Sequence, residues 1–198
     1  MPSLRELREE AADCRACPLW QTGTQTVFGE GTARARVLLV GEQPGDQEDR
    51  EGRPFVGPAG RLLDEALERA GIDRSAAYVT NAVKHFKWEA RGKRRIHAKP
   101  SWSEIAACRP WLESELAVVK PAVLVCLGAT AAQSLLGKQF RVTKQRGTWV
   151  ESDLAPHVTA TIHPSAVLRQ RTDEDRHREM DALVSDLAIV AAVLARAG

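Results

Sequence analysis

The side chains of this sequence best suited to chemistry are four cysteines, two of its histidines and a glutamate in a glycine-rich turn. Cys14 and Cys17 make a Cys-x-x-Cys pair closed by Pro18, while Cys108 and Cys126 stand apart downstream. Thiols of an intracellular chain are kept reduced, so metal ligation is favoured over bridging. Zinc ligands usually come as two close pairs. Here residues 109–125 divide the second pair and put its members on different expected elements. A [4Fe–4S] cluster accommodates that spacing at least as well. An ordinary buried role for Cys108 and Cys126 stays open, because free cysteine is a common core residue.

Glu42 lies in Gly41-Glu42-Gln43-Pro44-Gly45, directly after an apolar run, and His163 opens His163-Pro164-Ser165 after another. A carboxylate so placed can orient or activate a nucleophile, and an imidazole can donate to developing negative charge. The plainer roles are a solvated strand-end glutamate and a hydrogen-bonded structural histidine. His97 has a different setting. Between Lys84 and Lys99 the cations at 84, 87, 91, 93, 94, 95 and 99 face one acid, Glu89, although the whole chain has a formal net charge of only +2. Such a stretch attracts phosphates in a salt-dependent, sequence-blind way, with a solvated basic loop as the plain alternative. Neutral imidazole is a competent nucleophile near pH 7, and surrounding cations favour the uncharged ring.

At 198 residues and 43% hydrophobic content the chain suits one core, so a single domain over 1–198 is expected. Its first residues alternate charge with leucine and lack an apolar core of signal-peptide length, and the longest apolar run, 187–195, is too short for a bilayer. A soluble, cytoplasmic protein without membrane contact is the expectation, with a monomer as the default.

Apolar runs predict strands at 36–40, 77–80, 122–127 and 158–162, and helical spacing predicts helices over 3–13, 62–70, 128–136 and 173–196. Ser101 and Glu104 form a capping-box pattern that opens a further helix to about 119. Residues 82–100 read as a basic loop. Strands alternating with helices predict an α/β three-layer sandwich, a central, mostly parallel four-stranded sheet flanked by helices. Ligands of such sheets gather beyond the carboxyl ends of the strands. Gly41 to Gly45, Asn81, Gly128 and His163 to Ser165 all fall there.

Those segments, taken in order with Arg53 to Gly60, Thr80-Asn81 and the four cysteines, resemble the family-4 uracil-DNA glycosylases over nearly the whole chain. Two departures resemble a subgroup. Gln43 stands where alanine is usual, and an inserted loop carries Lys93-Arg94-Arg95-Ile96-His97. Both features are similar to UdgX-type proteins, which bind uracil-containing single-stranded DNA and become covalently joined to it through the loop histidine. The resemblance implies that role for His97, and a [4Fe–4S] cluster on Cys14, Cys17, Cys108 and Cys126.

It also implies a site. An enzyme acting on a base must flip it out or start from single-stranded substrate, then stack it and read its edge. Phe55 is the expected stack, and the Asn81 amide can match the adjacent N3–H and O4 of uracil while mismatching cytosine. A core phenylalanine and a turn asparagine are the plain alternatives. His163 would donate to uracil O2, and Glu42 would orient or activate water or His97. Gly41, Gln43, Pro44, Gly45 and Asp46 are expected beside the substrate, Gly45 through its turn amide. Lys84, Arg95, Ser165 and Arg169 are expected to meet the substrate or its phosphates, and Phe86 and Trp88 could stack on bases. Two other outcomes stay open: a conventional glycosylase that releases an abasic site, and an iron–sulfur DNA-binding protein without activity.

Overall fold

The computed structural model describes residues 2–196. A short helix, α1 (Leu4–Ala11), and a 3-10 turn (Pro18–Gln21) precede the first strand, β1 (Val37–Gly41). Then come α2 (Asp46–Glu51), α3 (Pro58–Arg69), β2 (Ala77–Asn81), β3 (Trp88–Arg91), β4 (Arg94–His97), α4 (Trp102–Val119) and β5 (Val123–Leu127). The chain closes through α5 (Ala129–Leu136), α6 (Val142–Gln145), β6 (Trp149–Val150), β7 (His157–Thr161), α7 (Ser165–Leu168) and α8 (Asp173–Arg196).

The main sheet has the order β2-β1-β5-β7-β6. Its first four strands run parallel, with Leu39 paired to Val79 on one side and Val125 on the other. Every residue of β1, β2 and β5 is buried, as expected for parallel strands covered on both faces. Strand alternation sorts these residues into two cores. Val37, Leu39, Val79 and Val125 pack under α3 and α8, with Leu63, Leu67, Leu183 and Leu187. Leu38, Val40, Tyr78 and Leu124 pack under α4 and α5, with Leu112, Leu116, Ala131 and Ala132.

The expected four-stranded parallel sheet is corrected in one respect: the sheet is five-stranded and mixed, because β6 pairs antiparallel with β7 at the edge. Two residues are too few to show an alternation pattern, so β6 has no signal of its own. The expected loop over 82–100 is also corrected. It contains an antiparallel hairpin, β3–β4, outside the main sheet. The capping box of α4 is formed, with Ser101 Oγ accepting from the Glu104 amide and Glu104 accepting from the Ser101 amide. Among the described residues no helix is long and apolar enough to cross a membrane.

Candidate active site

The carboxyl ends of β1, β2, β5 and β7 open on one cleft of about 780 Å³, whose walls include Glu42, Phe55, Asn81, His97, Thr130 and His163. Asn81 is the last residue of β2 and is buried beside β1. Gly41 is what lets it approach. A Cβ there would collide with Asn81 Oδ1 and come within 2.7 Å of the Phe55 ring. Phe55 adopts a left-handed backbone (φ +56°), a conformation that costs a non-glycine residue about 1–2 kcal/mol. The Phe55 carbonyl passes so close to Gly60 that any side chain there would overlap it. The Phe55 ring lies 6.1 Å from that of His163, at 27°. A flat apolar wall therefore stands next to an amide with both a donor and an acceptor, the combination that binds one edge of a planar heterocycle.

The tautomer of His163 follows from its contacts. The Ser165 amide lies 3.1 Å from Nδ1 and can only donate, so Nδ1 is the acceptor and the ring proton sits on Nε2. The Ser165 hydroxyl is also on Nδ1 at 2.8 Å, and it accepts from Arg169 at 3.0 Å. Burial, reinforced by Arg169 and His97 and opposed by Glu42, pushes the His163 pKa down to about 4. At neutral pH His163 is thus an uncharged donor whose Nε2–H is free for a ligand. Ser165 and Arg169 set its orientation, and Arg169 also lines the cleft.

Glu42, just past β1, divides its carboxylate. Oε1 lies 2.9 Å from His97 Nε2, and Oε2 accepts the Thr130 hydroxyl. Burial raises its proton affinity, but hydrogen bonds from His97 and Thr130 and the two nearby histidines outweigh this and leave its pKa below the ordinary carboxylate value. The charge closest to His97 is therefore an anion, where the sequence pointed to surrounding cations.

The hairpin delivers His97 to that point. Gln43 Oε1 accepts from the Lys87 amide at 2.9 Å, and its Nε2 donates to the carbonyls of Lys87 and Ala98 at 3.2 and 3.0 Å. One side chain thus closes the base of the hairpin onto the end of β1. Arg95 fixes it from the other side, donating to Asp46 at 2.5 Å and to fully buried Asp49 at 2.6 Å.

Several expected contacts are corrected by this geometry. Arg95 is spent on Asp46 and Asp49 with its guanidinium over Phe86 and Trp88, at 5.3 and 5.6 Å, so it holds the hairpin, and Phe86, at 1% exposure, is closed to a base. Asp46 is occupied by Arg50 and Arg95 and is not in the cleft wall. Pro44 is likewise outside that wall, and the Gly45 amide donates to Glu48. Lys84 cannot meet a phosphate: it is 1% exposed and donates to Glu115, Thr80 and the Asn81 carbonyl. Glu115 in turn accepts from Gly29, Tyr78 and Thr80. Glu48, which no sequence pattern marks, ties two loops together by accepting from the amides of Gly45 and Gly57.

Residues 28–188 match the model of the uracil DNA glycosylase superfamily. The chain belongs to the uracil-DNA glycosylase superfamily. It is similar to the type-4 uracil-DNA glycosylase of Thermotoga maritima, 41% identical over 85% of this chain and 84% of that one. The type-4 enzyme of Sulfurisphaera tokodaii is 38% identical over 85% and 77% of the two chains. The type-5 uracil-DNA glycosylase of Thermus thermophilus is 32% identical over 90% and 86%.

Within this superfamily chain the four thiols do not converge. Cys14 Sγ accepts from the Trp111 indole and Cys108 Sγ from the Lys84 amide, each at 3.2 Å. Burial raises the pKa of Cys17, and the neighbouring Cys14 adds to this. Burial likewise pushes Cys108 up to about 11, with Cys17 and Cys14 adding. These three thiols therefore feel one another. Cys126 is corrected as a ligand: it lies mid-sheet on β5, paired with Val40 and Ala160, and burial alone raises it to about 12. Among the described residues no three such ligating groups are arranged as a metal site. Cys14, Cys17 and Cys108 thus share one neighbourhood, and Cys126 stands outside it.

Proposed function

We propose that this protein is a uracil-DNA glycosylase that excises uracil, preferentially from single-stranded DNA, and that His97 then holds the sugar covalently. The observation that carries the reading is the His97–Glu42 pair, 2.9 Å apart, on the wall of the cleft that also holds Asn81, Phe55 and His163. Membership of the superfamily and the names of the type-4 relatives support the excision step.

Uracil stacks on Phe55 and is read at N3–H and O4 by Asn81. The electron pair of the C1′–N1 bond leaves with the base, and the resulting anion is stabilised by the Nε2–H of neutral His163. The lone pair of an imidazole nitrogen of His97 forms the new bond to C1′. The ring proton of His97 passes to Glu42, which leaves a neutral N-linked imidazole, and the uracil anion takes a proton from water. If water attacks in its place, Glu42 accepts its proton and the product is an abasic site. Lys99 and Arg169, both lining the cleft, are the cations suited to the flanking phosphates.

The resemblance also supports an iron–sulfur cluster, which Cys14, Cys17 and Cys108 would hold. His85 follows directly on Lys84, whose amide bonds Cys108, and would be the fourth ligand in place of its bond to Thr26. When bound, such a cluster ties the N-terminal segment to α4.

The test is a labelled single-stranded oligonucleotide with one uracil, run against its thymine control on a denaturing gel. A uracil-dependent band that survives boiling in detergent is expected, and His97→Ser should convert it to an alkali-labile abasic product. A wild-type lane with abasic product and no adduct would leave excision standing and remove the covalent step.

A further inference from the structure

Thr130 belongs to none of the motifs that mark the cleft, yet it is one of the two side chains that bond Glu42 among the described residues. It lies on the first turn of α5, where it is 4% exposed. Its hydroxyl faces an anion, so it must donate. With Thr130 on Oε2, Oε1 is the oxygen turned to the nucleophile. A β-branched side chain in a helix has few rotamers, so the donor is fixed in place by the backbone of α5. Free rotation of the Glu42 side chain is thereby removed at one end, and His97 arrives at the other.

We propose that Thr130 is the positioning residue for Glu42, holding its carboxylate in the rotamer that presents Oε1 to His97 or to water. The proposal rests on the glycosylase reading above and deepens it. Thr130 also lines the cleft, but its hydroxyl is committed to Glu42, and no hydrogen bond joins it to Asn81 or His163 among the described residues.

The variants are Thr130→Val, which keeps the shape and removes the hydroxyl, and Thr130→Ser, which keeps the donor. A lost hydrogen bond to a charged group predicts that Thr130→Val forms adduct or abasic product about 10- to 100-fold more slowly under single-turnover conditions. Thr130→Ser should recover most of this. The acid limb of the rate profile should also move to higher pH in Thr130→Val, because Glu42 loses one of the donors that keep it ionised, leaving His97 on β4 and His163 beyond β7 as the groups facing it. Affinity for an uncleavable 2′-fluoro-deoxyuridine oligonucleotide should fall much less than the rate, because the hydroxyl lost is bonded to Glu42.

An equal rate with an unmoved acid limb in Thr130→Val would overturn the proposal. So would a loss of affinity that matches the loss of rate, since that marks a role in shaping the cleft. A wild-type protein that releases no uracil would sink the glycosylase reading first, and this proposal with it.

Discussion

Replacing Gln43 by alanine isolates what the hairpin contributes to chemistry. The Gln43 amide makes three hydrogen bonds to the hairpin base, one accepted from Lys87 N–H and two donated to the Lys87 and Ala98 carbonyls. The Lys87 carbonyl keeps a second partner, the Ala98 amide at 3.0 Å, so truncation strands one N–H and one C=O. At about 1 kcal/mol for each group that water can partly reach, the docked hairpin loses about 2 kcal/mol, or about 30-fold in its docking constant. Arg95 still holds the hairpin through Asp46 and Asp49, so it should loosen without detaching. The two cores are not touched, and the melting temperature should barely move. Rapid-quench gels on a uracil oligonucleotide should then show adduct formation slowed by up to about 30-fold and uracil release slowed less. The products should therefore shift from adduct toward free abasic DNA. An unchanged adduct rate and product ratio in a folded Gln43→Ala protein would refute this account. A parallel fall in both rates would mean that Gln43 acts on the base itself.

His163 should titrate with a midpoint near pH 4 by NMR. The unfolded chain takes up its proton near 6.5 and the folded one only near 4, so the wild type should lose stability between those pH values relative to His163→Gln. A midpoint at 6 or above would contradict the buried, neutral donor. Iron analysis of protein purified without oxygen should find wild-type content in Cys126→Ala and a large loss in Cys108→Ser, whereas equal loss in both would restore Cys126 as a ligand.

The parts of the fold that the sequence discloses are those whose residues answer to one local rule. Strands β1 and β5 are continuous apolar runs because both faces of a parallel sheet are covered, and β2 and β7 are nearly as buried but mix apolar residues with threonine. The start of α4 is written in Ser101 and Glu104. What stays hidden depends on partners distant in the chain. Lys84 counts as one more cation in a basic stretch until Glu115, on the buried face of α4, is seen to pair with it. Asp46–Glu51 carries no apolar stripe, so α2 gives no periodic signal, and its place is fixed by contacts of Glu48 and Asp49 to other loops. The hairpin had one local mark that could have been read. Arg91 pairs with Arg94 across Gly92 and Lys93, and Gly92, at φ +60°, holds the first loop position, as a type II′ turn requires.

The hairpin's composition explains both why it looks like a loop and why it can carry a nucleophile. Its turn and second strand are cationic, with Arg91, Lys93, Arg94 and Arg95 against Glu89 alone, and neighbouring like charges oppose pairing unless anions balance them. Asp46, Asp49 and Glu42 supply those anions from the loop after β1 and from α2. Two of the three bond Arg95 and one bonds His97, so the contacts that make the hairpin fold are the contacts that aim its histidine. A basic insertion on this sheet would remain a solvated loop if the acids stood elsewhere. The inserted His97 and the residues at the end of β1 therefore have to be read as one unit, in which Gln43 and Arg95 set position and Glu42 sets reactivity.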